Sequence, residues 1–301
     1  MNLKEEIQKL KQEKNAIILA HYYVPDEVQE IADHVGDSFA LAKIAKNTDA
    51  KIIVFAGVSF MGESAKILNP NKKVLMPDML ADCAMAHMAT KEKVLKMKES
   101  VDDLAVVCYI NSTAALKTVS DVCVTSSNAV DIVRKLPQKN IFFIPDQNLG
   151  SYVKKQVPEK NIILNDGYCP VHHQLNQQVV TLIKEKYPNA KILVHPECKE
   201  EILEKADYIG STAGIIQYAT QSTEKEFVIG TELGVLYELQ VKNPDKVFYP
   251  LSKALCCADM KLVTLEKVRD CLQNESNEVF VDDTTRELAQ RSLDVMLELA
   301  R

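Results

Sequence analysis

One pattern occurs three times along this chain, and it constrains the fold more than any other feature of the sequence. Each copy opens with an apolar, β-rich run that ends in polar residues, at 17–23, 106–111 and 192–197. In each copy an aspartate then precedes a hydroxyl residue by five positions: Asp33 and Ser38, Asp121 and Ser126, Asp207 and Thr212. A helix-like stretch follows each hydroxyl, which is therefore placed as a natural N-cap. The pattern predicts three units of the same construction.

The second half of each copy repeats as well. New apolar strands are predicted at 52–56, 141–144 and 227–230, and a turn containing Pro70, Pro158 or Pro244 follows each of them. Each copy then ends in a cysteine: Cys83, Cys169, and either Cys256 or Cys257. Cys83 lies 50 residues after the aspartate of its unit, and Cys257 also lies 50 residues after its aspartate. The spacing therefore favours Cys257 over Cys256, by a margin of one residue.

Strands that alternate with helices indicate parallel sheets covered by helices. We predict the α/β fold class, with three similar three-layer α/β domains related by pseudo-threefold symmetry. The predicted domains are residues 1–88, 89–174 and 175–265, and residues 266–301 form a C-terminal helical extension of two helices around Val279–Val281. Because such sheets bind ligands beyond the carboxyl ends of their strands, the active site is predicted at the central junction of the domains.

Polar residues end the first predicted strand of each unit. They are His21 and Tyr23, Tyr109 and Asn111, and His195 and Glu197. Histidine, glutamate and tyrosine can exchange protons with a substrate. The hydroxyls of Ser38, Ser126 and Thr212 lie at predicted helix N-termini, where backbone N–H groups attract carboxylates and phosphates. These positions favour a small polyanionic ligand, although hydroxyls that only cap helices remain an alternative.

The cysteines of this chain require an explanation, because there are eight of them. In a reducing compartment they are either buried or bound to metal, and Cys108 and Cys123 are predicted to be buried in strands. One cysteine from each unit would leave one metal position open. That suits a [4Fe-4S] cluster whose free iron binds substrate and acts as a Lewis acid, with a three-thiolate zinc site as the alternative.

Charge and hydropathy exclude several classes of protein. The formal net charge is −6, which argues against a nucleic-acid or anionic-membrane binder. The first residues mix charges and lack the apolar core of a signal peptide. No apolar stretch approaches the roughly 18–20 residues of a membrane helix. We therefore expect a cytoplasmic protein with neither nucleic acid nor membrane among its partners.

Eight segments, taken in order, resemble the quinolinate synthase (quinolinate synthetase A) family. The resemblance extends over residues 17–265 and rests on 19–23, 36–38, 109–113, 125–129, 167–172, 194–198, 210–212 and 230–232. The most specific of these segments are Cys169-Pro170-Val171-His172 and His195-Pro196-Glu197-Cys198.

The resemblance implies three α/β domains around one [4Fe-4S] cluster per chain, held by Cys83, Cys169 and Cys257. It implies the condensation of iminoaspartate (iminosuccinate) with dihydroxyacetone phosphate to quinolinate, with release of phosphate and two waters, in de novo NAD biosynthesis. Transient contact with the enzyme that supplies iminoaspartate is also predicted. Substrate contacts are predicted for His21, Ser38, Tyr109, Ile110, Asn111, Ser126, His195, Pro196, Glu197 and Thr212. Catalytic roles are predicted for Glu197, Tyr23, Tyr109 and His172.

The sequence departs from the family at the third cysteine. The family's usual Cys-x-Asn-Met-Lys run reads Cys257-Ala258-Asp259-Met260-Lys261 here, directly after a second cysteine, Cys256. Alignment on the Met-Lys pair again favours Cys257. Two other functions stay open at this point: an iron–sulfur hydro-lyase acting on a different small di-acid, and a non-catalytic iron–sulfur sensor or binding module.

Overall fold

The computed structural model describes residues 2–300. The first part of the chain contains α1 (Leu3–Glu13), β1 (Ala16–His21), α2 (Asp26–Ile31), β2 (His34–Gly36), α3 (Ser38–Asn47), β3 (Ile52–Ala56), α4 (Ser59–Leu68) and β4 (Lys73–Leu75). A 3-10 turn, Ala84–His87, follows. The second part contains α5 (Lys91–Ser100), β5 (Leu104–Tyr109), α6 (Ala114–Lys117), β6 (Val122–Val124), α7 (Ala129–Lys135), β7 (Asn140–Ile144), α8 (Gln147–Gln156), β8 (Asn161–Leu164) and α9 (Pro170–His173).

The third part repeats this construction, and two further helices follow it. It contains α10 (Gln177–Lys186), β9 (Lys191–Val194), α11 (Glu200–Leu203), β10 (Tyr208–Ile209), α12 (Thr212–Gln221), β11 (Glu226–Gly230), α13 (Val235–Lys242) and β12 (Val247–Pro250). A 3-10 turn at Met260–Leu262 precedes α14 (Leu265–Asn274) and α15 (Asp283–Leu299). The two predicted C-terminal helices are therefore present.

The strands form three four-stranded parallel sheets with the same strand order. The orders are β2-β1-β3-β4, β6-β5-β7-β8 and β10-β9-β11-β12. Helices cover both faces of such sheets, so their central strands are mostly apolar, and every residue of β3 is buried. The prediction of three similar α/β domains is confirmed. The boundaries at 88, 174 and 265 stay predictions.

The repeated aspartates fasten each unit together. The carboxylate of Asp33 accepts a hydrogen bond of 2.8 Å from the backbone N–H of Ile18, at the start of the central strand. Asp121 and Asp207 make the equivalent bonds, of 2.7 Å and 2.8 Å, to the backbone N–H groups of Val106 and Ile192. The sequence pattern thus marks a structural contact that holds each second strand against the first.

The prediction that Ser38, Ser126 and Thr212 are N-caps is wrong. Asp37 and Ser211, one residue earlier, cap α3 and α12 by accepting from the third backbone N–H of the helix. Ser126 lies two residues before Asn128, the N-cap of α7. An N-cap needs extended backbone, and these preceding residues adopt it in α3 and α12. The three hydroxyls are consequently free to face other groups.

The hydrophobic core unites the first two units with the C-terminal helices. Leu293 and Met296 of α15 are fully buried in the same cluster as the strands of both units. The third unit has separate clusters on the two faces of its sheet. Cys108 and Cys123 are fully buried in β5 and β6, as predicted. Among residues 2–300, no helix is both long enough and apolar enough to span a membrane.

Candidate active site

The polar ends of the three sheets meet at one cavity of about 430 Å³. This volume is in the range of small-ligand sites. The predicted residues that line it are His21, Tyr23, Ser38, Cys83, Tyr109, Asn111, Ser126, Cys169, His172, His195, Glu197, Thr212 and Cys257. Each unit contributes to this set. The parallel topology explains the convergence, because ligand sites form beyond the carboxyl ends of the strands.

Ile110 and Pro196 were also predicted to contact substrate, but they do not line the cavity. Both residues are buried elsewhere. Each lies between two cavity residues, beyond the end of its strand, where the chain turns. The substrate contacts of these two residues stay predictions.

Glu197 is the centre of a buried hydrogen-bonded group. Its carboxylate accepts a hydrogen bond of 2.7 Å from the Tyr109 hydroxyl, and the other carboxylate oxygen lies 2.8 Å from Nδ1 of His172. Burial by itself would raise the pKa of Glu197, but His195, His172 and the hydrogen bonds from His172 and Tyr109 hold that pKa well below its usual value. Burial, together with the charge of the same carboxylate, raises the pKa of the Tyr109 hydroxyl. The pair is thus an ionised carboxylate and a protonated phenol.

Two histidines line the cavity as neutral hydrogen-bonding groups. Burial lowers the pKa of His195 to about 4 and that of His21 to about 3. Nε2 of His195 lies 3.1 Å from the Ser126 hydroxyl, and its ring stacks on His172 at 5.0 Å between centroids. Near neutral pH these imidazoles provide directed hydrogen bonds rather than positive charge.

Tyr23 is held by two threonines of the third unit. Its hydroxyl lies 2.7 Å from Thr212 Oγ1 and 2.8 Å from Thr231 Oγ1. Burial and the Glu197 charge raise the pKa of Tyr23. Thr231 also reaches Nε2 of His172 at 3.0 Å. Thr231 belongs to the Gly230-Thr231-Glu232 segment, which the sequence singled out without giving this threonine a role.

Asn111 leaves a polar atom unused at the cavity. Its side-chain oxygen Oδ1 is buried and has no hydrogen-bond partner within residues 2–300. Buried polar atoms normally have a partner, and a bound ligand is one explanation where they lack it. The cavity therefore offers an acceptor that a substrate N–H or O–H group could satisfy.

Each of the three cysteines stands at the start of a short helical turn. Cys83 precedes Ala84–His87, Cys169 precedes Pro170–His173, and Cys257 lies just before Met260–Leu262. Backbone N–H groups of these turns point at the sulfur atoms and favour lower thiol pKa values. Burial of the thiols has the larger effect. It raises the pKa of Cys83 to about 12, that of Cys257 to about 11, and that of Cys169 well above its usual value. Such thiols become thiolates when they bind a metal.

The spacing of possible ligands bears on the kind of metal group that fits. Cys169 Sγ, His172 Nδ1 and a Glu197 oxygen lie within 4.8 Å of one another and could hold an ion. The sulfur atoms of the three cysteines do not form such a close group in the part of the chain that the structure describes. Thiolates on one zinc ion, with Zn–S of about 2.3 Å, lie roughly 3.8 Å apart. The three cysteines therefore suit a larger inorganic core better than a single zinc ion.

Glu232 fixes the loop that carries the third cysteine. This fully buried carboxylate accepts a hydrogen bond from the Cys257 backbone N–H at 3.0 Å and forms an ion pair with Lys261 Nζ at 2.9 Å. Lys261 Nζ also donates to the Tyr23 carbonyl at 2.5 Å. Cys256 lines the cavity too, but it is exposed. Sequence reasoning missed the role of Glu232, because nothing local indicates that its partner is 25 residues away.

This fold and this site define an α/β enzyme of three like units, with buried titratable groups and three converging thiols at their junction. Comparison with known proteins agrees. The family described as "Quinolinate synthetase A protein" matches residues 5–298. The chain is 54% identical over 297 residues to "Quinolinate synthase" of Caldicellulosiruptor bescii, covering 99% of this chain and 98% of that protein.

Two further relatives come from other organisms. "Quinolinate synthase" of Fusobacterium nucleatum is 55% identical over 298 residues, covering 99% of each chain. "Quinolinate synthase 2" of Methanosarcina acetivorans is 49% identical over 296 residues, covering 98% of this chain and 95% of that protein. The chain therefore belongs to the quinolinate synthetase A family, and it is an enzyme.

Proposed function

We propose that this enzyme condenses iminoaspartate with dihydroxyacetone phosphate to form quinolinate, releasing phosphate and two waters, in de novo NAD biosynthesis. The observation that carries the proposal is the meeting of one thiol from each unit with the Glu197 group at a single cavity. Family membership supports the same reaction, since the relatives carry the name quinolinate synthase.

We assign the cofactor as one [4Fe-4S] cluster per chain, held by Cys83, Cys169 and Cys257. The three sulfurs do not all lie within 4.8 Å of one another, and their residues line the cavity, which supports this assignment. When bound, the cluster would supply a Lewis-acidic iron without a cysteine ligand, which can polarise a substrate oxygen.

The protein's own groups supply the proton transfers. The reaction requires imine–enamine exchange, removal of protons beside a carbonyl, and protonation of departing hydroxyls. Glu197 is ionised and can accept a proton, while Tyr109 and Tyr23 keep theirs and can donate. His172 lies between them, at hydrogen-bond distance from both Glu197 and Thr231. One buried group thus contains both an acid and a base.

The substrates carry two carboxylates and a phosphate, whose oxygens accept hydrogen bonds, so the site needs hydrogen-bond donors. Ser38 and Thr212 are the first residues of α3 and α12, and both line the cavity. The N-termini of helices of this length attract anions. Ser126 and His195 add a hydroxyl and an imidazole, and Asn111 has a free acceptor. These groups are the proposed substrate contacts.

The test is direct. Protein purified without oxygen should contain about four irons and four sulfides per chain, the content of one [4Fe-4S] cluster. It should convert iminoaspartate and dihydroxyacetone phosphate to quinolinate, detected by mass spectrometry. Stoichiometric zinc in place of iron would contradict the cofactor. An intact cluster without quinolinate, but with dehydration of another di-acid, would favour a hydro-lyase. A cytoplasmic location and contact with the supplier of iminoaspartate are part of the proposal.

A further inference from the structure

One backbone hydrogen bond recurs beside the three thiols that line the cavity. In each unit the third residue after the third strand donates its N–H to the carbonyl of the residue two positions before the cysteine. The bonds join Ser59 to Ala81 at 2.9 Å, Gln147 to Gly167 at 2.8 Å, and Leu233 to Leu255 at 2.8 Å. The three cysteine loops are therefore attached to their sheets in the same way, and a position in one unit has an equivalent in the others.

The residue just before each of these donors differs between the units. In the third unit it is Glu232, whose carboxylate accepts a hydrogen bond of 3.0 Å from the backbone N–H of Cys257. In the second unit it is Asp146, which carries the same functional group. In the first unit it is Val58, which carries none. The equivalence therefore pairs Asp146 with Cys169 as it pairs Glu232 with Cys257.

Asp146 is fully buried, and one of its carboxylate oxygens is unpaired. Oδ1 caps α8 by accepting bonds of 2.7 Å and 2.9 Å from the backbone N–H groups of Asn148 and Leu149. Oδ2 has no hydrogen-bond partner in the part of the chain that the structure describes. Burial and the charge of Glu197 raise the pKa of Asp146, whereas backbone N–H groups, that of Cys169 among them, act in the opposite direction. The N–H of Cys169 thus lies close to this carboxylate.

The segment before Cys169 packs tightly against the residues at Asp146. The side-chain amide of Asn165 donates to the Pro145 carbonyl at 2.8 Å. A Cβ atom added to Gly167 would lie 2.6 Å from the same carbonyl oxygen, so only glycine fits there. Asp146 and Gly167 also form a parallel bridge. A change of the side chain at Asp146 therefore acts on a segment that ends at Cys169.

We propose that Asp146 is a positioning residue for Cys169, holding the backbone of this cysteine as Glu232 holds that of Cys257. The inference rests on the proposed function, because that function makes Cys169 a cluster ligand. Asp146 does not line the cavity, so it acts on the ligand and not on the substrate. The first unit has Val58 at the equivalent place, so this fold forms without a carboxylate there.

Asp146→Asn tests the proposal. Asparagine caps helices about as well as aspartate, but its single oxygen cannot serve both α8 and Cys169. In anaerobic protein we expect iron to be lost to a chelator roughly 10–100-fold faster than in wild type, the usual effect of groups that orient a metal ligand. Asp282→Asn is the matched control, because Asp282 is the exposed N-cap of α15 and does not line the cavity. Its rate of iron loss should be that of wild type.

A second measurement needs no cofactor. Cluster-free protein is treated with iodoacetamide, and the labelled cysteines are quantified by peptide mass spectrometry. We expect Cys169 to react roughly 10-fold faster in Asp146→Asn, the effect of one lost hydrogen bond, while Cys83 keeps its wild-type rate as an internal reference. An unchanged rate at Cys169, or an equal increase at both cysteines, would overturn the inference. If wild type holds no iron, the proposed cofactor fails, while the labelling rates still decide the role of Asp146.

Discussion

Tyr109 and Glu197 lie 88 residues apart in the sequence, and a hydrogen bond of 2.7 Å joins their side chains at the cavity. The bond links the end of β5 in the second unit to the segment after β9 in the third. Burial raises the pKa of both groups, but His195, His172 and the hydrogen bonds hold the pKa of Glu197 low, while the Glu197 charge raises that of Tyr109 further, leaving one ionised and the other protonated. Such a pair is an acid and a base within one hydrogen bond.

The first prediction concerns Glu197. Glu197→Gln keeps the shape of the side chain but removes the basic group and puts an N–H donor near two others. We expect turnover to fall roughly 10²–10⁴-fold, the usual range for general acid–base catalysis, with the iron content unchanged. Steady-state kinetics and an iron assay would measure both. Glu226→Gln, whose carboxylate is 3.4 Å from the Tyr249 hydroxyl away from the cavity, is the matched control. Turnover within about threefold of wild type would transfer the role to Tyr23, Tyr109 or His172.

The adjacent cysteines provide a second prediction. The Cys257 backbone is held by Glu232, whereas Cys256 is exposed. We expect Cys257→Ala to lose the cluster and Cys256→Ala to keep it, as measured by visible absorption and by iron and sulfide content of anaerobic protein. The opposite result would move the third ligand by one residue.

A third prediction concerns the Glu232–Lys261 ion pair. Glu232→Gln should loosen the loop around Cys257, because Lys261 loses its anionic partner and the backbone N–H of Cys257 loses a strong acceptor. Groups that orient a metal ligand typically contribute 10–100-fold to metal affinity. We expect iron to be lost to a chelator faster by roughly that factor. Asp294→Asn, which breaks the surface pair with Lys46, should leave the rate of iron loss unchanged. Equal rates in the two variants would make Glu232 a residue of the fold alone.

The repeated aspartates provide a prediction about stability. Asp121→Ala should lower the free energy of unfolding by about 1–3 kcal/mol, because the backbone N–H of Val106 loses its acceptor. Asp121→Asn keeps an acceptor and loses mainly the surface pair with Lys98, so its loss should be below about 1 kcal/mol. Urea denaturation would compare the two. Equal losses would assign the effect to the charge instead of the hydrogen bond.

The last prediction is a pH dependence. Hydrogen bonds from Lys14 and Lys73 lower the pKa of Glu275 from 4.5 to about 2. The pKa of Glu275 is lower in the folded than in the unfolded protein. The stabilisation that its ionised carboxylate gives the folded protein is therefore complete above pH 4.5 and is lost as the pH falls toward 2. The difference in thermal midpoint between wild type and Glu275→Gln should therefore shrink over that interval and with added salt. A constant difference would show that the carboxylate charge is not involved.

The sequence predicted the threefold architecture for a physical reason. Apolar runs form strands and helical stretches form helices because of short-range burial and backbone preferences. The same preferences act in each of the three repeats, so the same elements form in each. The same periodicity placed His21, Tyr109 and His195 at strand ends and Cys83 and Cys169 at the ends of units. Helix caps were less predictable: Asp37 and Ser211 took the position expected for the next residue, since either neighbour has a suitable side chain.

The resemblance to a family added the roles of these residues, but the partners of each side chain were decided by the tertiary structure alone. Thr231 and Glu232 stand side by side in the sequence, yet one contacts Tyr23 and His172 while the other holds Cys257 and Lys261. Ile110 and Pro196 lie between cavity residues but do not line the cavity. Local patterns determine which strand end a residue occupies. Only the packing of three units determines which side chains meet there, because these contacts join residues far apart in the chain.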